Sequence, residues 1–198
     1  MNIIFDLGGV VFEWRPDKLI EQVFSDPADR KLVAADLLSN PDWAELDRGA
    51  LDKDLAVDRA SKRSGISGEK IRRLLDLVPG SLTPREDTIA LISRLKEAGN
   101  RLFVLSNMHH DSADYLQQTY PIWDHFEGVV FSCRVKMVKP DPGIFEYIRD
   151  IYRLEGDETV FIDDTKVNTE TAMTIGMRTV HFQSSEQCEA ELKAMGCL

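Results

Sequence analysis

The sequence predicts an α/β fold: a parallel sheet with helices on both faces, interrupted after its first strand by an all-helical insert. Three observations predict it. The apolar runs Ile3-Ile4-Phe5, Leu102-Phe103-Val104-Leu105 and Val160-Phe161-Ile162 each end in polar residues, as buried parallel strands do where they empty into loops. From Thr83 onward such runs alternate with stretches of helical periodicity, which implies a parallel sheet with crossover helices. Residues 15 to about 81 instead read as one helix after another.

The elements follow in order. Ile3-Ile4-Phe5 is a buried strand, and the glycines of Leu7-Gly8-Gly9 form the turn after it. Trp14-Arg15-Pro16 reads as a hinge. Asp26-Pro27 opens a helix carrying Leu32, Val33, Leu37 and Leu38, and Asn40-Pro41 opens a second with Trp43 and Leu46, closed by Gly49. A third runs from about Leu51 to Arg63 and ends at Gly65; Ser67 caps a fourth with Ile71, Leu74, Leu75 and Leu77. Val78-Pro79-Gly80-Ser81 reads as the return hinge. Thr83-Pro84-Arg85-Glu86 has the form of a capping box with proline at the first helical position, opening a helix that carries Ile89, Ile92 and Leu95 and ends at Gly99. Strands are expected at 101–105, 129–132, 159–162 and 178–182. Between and after them come helices near 111–118, from Asp141-Pro142, around 168–175, and from Ser184-Ser185-Glu186-Gln187. The result is a Rossmann-like core of residues 1–14 and 82–198 with a helical cap of residues 15–81.

The chain has 198 residues, enough for one full domain and a small insert. It is 43% hydrophobic and 29% charged, with a formal net charge of −10. No Lys/Arg-rich run occurs, so a nucleic-acid partner is not expected. An acidic chain repels anions at long range, so a phosphate site must be made locally positive by lysine or metal. No run of 18 apolar residues predicts a membrane span. The start is too short and wrongly charged for a signal peptide. Cys133, Cys188 and Cys197 lack metal-type spacing and read as free thiols in a reducing cytoplasm. A monomer or weak dimer is expected.

In an open parallel sheet, ligands bind beyond the carboxyl ends of the strands. Asp6, Ser106-Asn107 and Asp163-Asp164 all follow such ends, and Lys139-Pro140 can add a positive group from the loop before a helix. Together they make an oxygen-rich pocket suited to a hard divalent cation and a phosphate.

Here the motifs become specific. Phe5-Asp6-Leu7-Gly8-Gly9-Val10-Val11, Leu105-Ser106-Asn107, Val138-Lys139-Pro140 and Phe161-Ile162-Asp163-Asp164 with Asn168 resemble, in order and spacing, the four motifs of the haloacid dehalogenase superfamily. The helical insert is similar to its C1 cap. Within the superfamily the chain resembles the bacterial glucose-1-phosphatase-like sugar phosphatases. The resemblance implies that Asp6 is a nucleophile forming an aspartyl-phosphate. It implies Mg²⁺ on Asp6, the Gly8 carbonyl and Asp164, with Asp163 contributing directly or through water. Ser106, the Asn107 amide and Lys139 would hold the phosphoryl oxygens of a small phosphorylated substrate. Asn168 would orient the Asp163-Asp164 pair.

Phosphatases of this superfamily usually carry a second aspartate two residues after the nucleophile, where this chain has Gly8. Loss of such an acid/base removes roughly 10²–10⁴-fold of rate. His109 and His110 are candidates to replace it, against the plainer reading that both flank a surface helix. Trp14, Arg15, Trp43, Glu45, Asp47 and Arg48 sit near the hinges or in the second cap helix. Of these, Trp43 and Arg48 are expected to contact substrate, Arg48 reaching the pocket mouth beside Gly49, unless Trp43 is cap core and the charges are solvated. Two alternatives to a phosphatase stay open: a dehalogenase attacking carbon, and a non-catalytic module that binds a phosphorylated ligand.

Overall fold

The computed structural model describes residues 1–198. β1 (Asn2–Phe5) leads through the Gly8-Gly9 turn to β2 (Phe12–Glu13). The cap follows: α1 (Pro16–Val23), α2 (Pro27–Val33) continued by one wide π-turn over Ala34–Leu38, α3 (Pro41–Asp47), α4 (Lys53–Ser64) and α5 (Gly68–Ser81). β3 (Thr83–Pro84) returns the chain to the core. There α6 (Glu86–Glu97), β4 (Arg101–Ser106), α7 (His110–Thr119), β5 (Gly128–Phe131), α8 (Ser132–Val135), α9 (Pro142–Tyr152), β6 (Thr159–Asp163), α10 (Lys166–Thr174), β7 (Arg178–His181) and α11 (Ser185–Ala194) complete it. No helix is long and apolar enough to cross a membrane.

The parallel sheet has the order β5-β4-β1-β6-β7, which puts β1 at its centre. Asn2 pairs with Arg101 on one side and Thr159 on the other, and Phe5 with Val104 and Ile162. Side chains alternate as the pleat requires. Ile3, Phe5, Leu102, Val104, Val160 and Ile162 join one buried cluster with α6, α7 and α11, whereas Ile4, Phe103, Leu105 and Phe161 join another with α9 and α10. A slip of one residue would exchange the two sets, so burial locks the register. It also fixes which polar residue emerges at each strand end. The helices between Pro16 and Ser81 bury a third cluster of their own, from Leu19 to Val78.

Four local expectations are corrected. Thr83 caps nothing: Thr83–Pro84 pairs antiparallel with Phe12–Glu13, and α6 begins at Glu86 after Arg85, which makes no side-chain cap. The two-stranded ribbon ties both chain crossings together, and a proline lacking its N–H is tolerated at such an edge. Trp14-Arg15-Pro16 is less a hinge than the start of α1, with Pro16 in its first turn. Val78-Pro79-Gly80-Ser81 is the last turn of α5, with Pro79 inside the helix. The Asp163-Asp164 turn leads into α10 at Lys166, earlier than expected. Elsewhere the caps fall where the sequence puts them: Asp26, Asn40 and Ser67 each accept an N–H of the following turn, and Ser184 and Gln187 close a reciprocal capping box; α4, expected from about Leu51, starts at Lys53 behind an Asp52 cap.

Candidate active site

Asp6 leaves β1 one residue past the paired Phe5, with its N–H held by the Ile162 carbonyl at 2.9 Å. Asp163 ends the neighbouring β6. Lys139 lies in the loop before α9 with its side chain 1% exposed, and its Nζ sits 2.8 Å from Asp6 Oδ1 and 2.6 Å from Asp163 Oδ2. The four motifs therefore meet at one edge of the sheet. Asn107 contributes differently from expectation: its side chain grips the lysine's backbone, Nδ2 donating to the Lys139 carbonyl at 2.9 Å and Oδ1 accepting the Lys139 N–H at 2.8 Å. The second motif thus positions the third.

Asp163 is fully buried. Its oxygens accept Lys139 Nζ, the Thr165 N–H at 2.8 Å and Asn168 Nδ2 at 3.0 and 3.1 Å. Asn168 thus orients Asp163 alone, and Asp163 is engaged in holding Lys139 in place. Asp164, the exposed member, faces the cleft. One ligand oxygen from each of Asp6, Asp163 and Asp164 lies within 4.8 Å of the others. Three carboxylates against one ammonium leave an excess of negative charge, and the donors are all hard oxygens, so the residues fit a divalent cation such as Mg²⁺.

The electrostatics show this imbalance. Burial, joined by the charges of Asp163 and Asp164, pushes the Asp6 carboxyl up to about 7 against the pull of Lys139. Burial works against the Lys139 charge, but Asp6 and Asp163 outweigh it and hold its pKa above the usual lysine value. Partial burial and the charge of Asp163 also raise Asp164.

The two glycines of the first motif differ. Gly9 has φ +80, and a Cβ there would lie 2.1 Å from Asp164 Oδ2, so any side chain would displace that carboxylate. A Cβ on Gly8 would meet only Trp14 Cβ, at 3.9 Å. The fold does not require glycine at that position.

Above the carboxylates opens a cleft of about 200 Å³ lined by Asp6, Gly8, Asn107, Lys139, Asp164 and Asn168 from the core motifs, and by Trp14, Trp43 and Asp47. The Trp14 and Trp43 rings stack 6.0 Å apart at 28°. Val78, Leu82 and Met108 complete an apolar wall, and His109, Ser112 and Thr165 also reach the cleft. Ser106, expected to touch the phosphoryl group, is outside this lining; its Oγ is buried at the end of β4 without a hydrogen-bond partner. Arg48 is also outside the lining and pairs with Glu45 at 3.2 Å. Arg48→Ala is expected to leave KM unchanged, while Trp43→Ala raises it several-fold; steady-state kinetics on one substrate checks both.

The histidines separate. His109 lines the cleft, and burial pushes it down to about 4, so it is neutral at ordinary pH. His110 lines a different hollow with Leu46, Lys53 and Asp111. Of the residues the sequence reading did not advance, Thr165 was signalled by its place directly after the acid pair. Val78, Leu82, Met108 and Ser112 carried no signal, because their chemistry here is only shape.

The chain is similar to several known proteins. Sesquiterpene phosphatase astK of Aspergillus oryzae is 27% identical over 198 residues, spanning 98% of this chain and 96% of its own. D-ribitol-5-phosphate phosphatase of Bacteroides thetaiotaomicron is 24% identical over 217 residues, covering 96% of each. A HAD family enzyme of Bacteroides thetaiotaomicron, solved with magnesium and inorganic phosphate, shares the fold with a TM-score of 0.68 at 22% identity, over 92% of this chain and 93% of that one. The haloacid dehalogenase-like hydrolase family model matches residues 1–172, and the chain belongs to that family of hydrolases, with relatives named as phosphatases.

Proposed function

We propose that the chain is a Mg²⁺-dependent phosphatase acting on a small phosphate monoester through an aspartyl-phosphate on Asp6. The observation that carries this reading is the buried Lys139 ammonium bridging Asp6 and Asp163 beside the open Asp164. Residues 1–14 and 82–198 act as the catalytic core and residues 15–81 as the cap. Asp6, Asp164 and the Gly8 carbonyl, with Asp163 directly or through water, would hold Mg²⁺, which would supply the charge that lets an anionic nucleophile approach an anionic phosphate. Asp6 attacks phosphorus, and Lys139 steadies the phosphoryl oxygens as charge shifts. Ser106, with its unpartnered hydroxyl, and the Asn107 amide are the other expected donors. Attack on a carbon–halogen bond gives the cleft-facing Asp164 no task.

The leaving group rests against Trp14, Trp43, Val78, Leu82 and Met108. A sugar phosphate suits the stacked indoles through its ring C–H face. A second reading, an isoprenoid monophosphate, is favoured by the three aliphatic residues, which offer a sugar hydroxyl no partner. The two relatives are named for one substrate of each kind. Phosphate release from hexose and pentitol phosphates and from farnesyl monophosphate, with and without Mg²⁺ and with Asp6→Asn as blank, tests both. Metal-dependent release from the sugar esters alone supports the first, and a farnesyl preference supports the second. No release from any ester contradicts phosphatase action.

Metal binding has its own readout. Unfolded Asp loses its proton near pH 4, whereas folded Asp6 keeps it to about 7. Between these values the native state binds more protons, so metal-free stability falls as pH rises from about 4 to about 7. Above that window Mg²⁺ binds carboxylates that are already ionised. At 100-fold excess over Kd it adds about 2.7 kcal/mol, or roughly 5–10 °C in Tm for a chain of this size. Differential scanning fluorimetry is expected to show this rise at pH 8 and a much smaller one at pH 5.

A further inference from the structure

We propose that Asp47, carried by the cap, is the proton donor and acceptor that the core lacks at Gly8. This rests on the phosphatase reading and adds a catalytic residue to it. Asp47 is the last residue of α3, 8% exposed, and lines the same cleft as Asp6, Gly8 and Lys139. It approaches from the cap while Asp6 forms part of the core floor.

Its position is fixed by the core. The Asp47 carbonyl accepts Ser132 Oγ at 2.5 Å, and that hydroxyl accepts the Met108 N–H at 2.8 Å. Two residues on, the Gly49 carbonyl accepts Lys136 Nζ. Gly49, at φ +66, lets the chain turn where a Cβ would lie 2.7 Å from the Cys133 carbonyl oxygen. The end of α3 is thus fastened to the core at two points, and Asp47 is held over the cleft.

No lysine or arginine forms an ion pair with Asp47. His109 Nδ1, buried and without a hydrogen-bond partner, stands 3.8 Å from Asp47 Oδ1. His109 Nε2 is engaged with Ser112 Oγ at 2.8 Å. The ionisable groups facing Asp47 are Asp6 from the end of β1, Lys139 from the loop before α9, His109 from the loop before α7 and the Cys133 thiol of α8. Burial, then the charge of Asp6, push the Asp47 carboxyl up to about 7 against the pull of the His109 backbone, Lys139 and the Trp43 side chain. A carboxyl buried without a cation is costly, and a purely structural position is better served by an amide or an apolar residue. A carboxyl that exchanges its proton near neutral pH is what acid–base catalysis requires. Neutral His109 cannot serve as that acid.

The chemistry balances. As an Asp6 oxygen bonds to phosphorus and the P–O bond to the alcohol breaks, the Asp47 proton moves to the departing oxygen and the alcohol leaves neutral. Ionised Asp47 then takes a proton from water as that water bonds to phosphorus. The P–O bond to Asp6 breaks, Asp6 recovers its carboxylate, and inorganic phosphate leaves.

The test compares wild type with Asp47→Asn on an alkyl phosphate and on p-nitrophenyl phosphate, whose leaving group needs no proton. We expect the alkyl ester rate to fall roughly 10²–10⁴-fold, the usual loss for a missing general acid. The first-turnover burst of p-nitrophenol should fall less than about tenfold, with the slower water step limiting later turnovers. Adding Gly8→Asp to Asp47→Asn should restore much of the alkyl rate, since the space beside Gly8 admits a side chain. Equal losses on both substrates without rescue, or an Asp47→Asn variant as active as wild type, would overturn the role of Asp47. Wild type inactive on every ester would overturn the phosphatase reading, and this assignment with it.

Discussion

Asp6→Asn abolishes turnover on the order of 10⁶-fold, the scale seen when a covalent hydrolase loses its nucleophile, and leaves the fold intact. The substitution keeps the size of the side chain and removes its charge. Asp6 is 8% exposed and sits beside Asp163 and Asp164, with only Lys139 to balance three acids. Above pH 7 the ionised form is held in place against burial and two neighbouring charges. The variant should therefore melt higher than wild type in metal-free buffer at pH 8, by on the order of 2–4 °C, which corresponds to about 1 kcal/mol in a chain of this size. At pH 5, where Asp6 already carries a proton, the gain should vanish. Mg²⁺ should raise the variant's Tm less than that of wild type. Retained phosphate release would mean that another group attacks phosphorus.

Lys139→Met is expected to have the largest effect on stability. The ammonium is buried and joins Asp6 to Asp163, while Asn107 holds its backbone on both sides. Removing one partner of a buried ionic cluster leaves the others uncompensated, at a cost of about 3–5 kcal/mol. The same change removes a fixed donor to the phosphoryl oxygens, which costs roughly 10²–10³ in kcat. The two losses are separable. Mg²⁺ can balance the orphaned carboxylates and should return part of the Tm, but it cannot stand where Nζ stood, so kcat should stay low. Urea melts and kcat measured across a Mg²⁺ titration check both parts. Recovery of kcat alongside Tm would show that Lys139 serves only charge balance.

The floor of the site was legible because each of its groups hangs on a local signal. Asp6, Ser106 and Asp163 end apolar runs whose burial fixes register, and Lys139 precedes Pro140 in the loop that leads into a helix. The cap wall was less legible. In Glu45-Leu46-Asp47-Arg48-Gly49 the sequence points to Arg48 as the charge at the pocket mouth, and nothing local shows that Asp47 turns inward while Arg48 pairs with Glu45. That choice depends on Ser132 and Lys136, more than eighty positions along the chain. Thr83-Pro84 misled for a related reason: a threonine before a proline suits a helix cap and a short edge strand equally, and pairing with Phe12 decided it. Pro79 reads as a breaker, but the burial of Leu74, Leu75 and Val78 carries α5 through it.

The central claim, covalent phosphoryl transfer to Asp6, has a direct measurement. Wild-type protein is mixed with Mg²⁺ and a substrate it turns over, quenched in acid within the first turnover, digested and weighed by mass spectrometry. The account predicts one added phosphoryl group on the peptide containing Asp6, absent from Asp6→Asn. Turnover with no phosphopeptide, or with the phosphoryl group on any other residue, would contradict it.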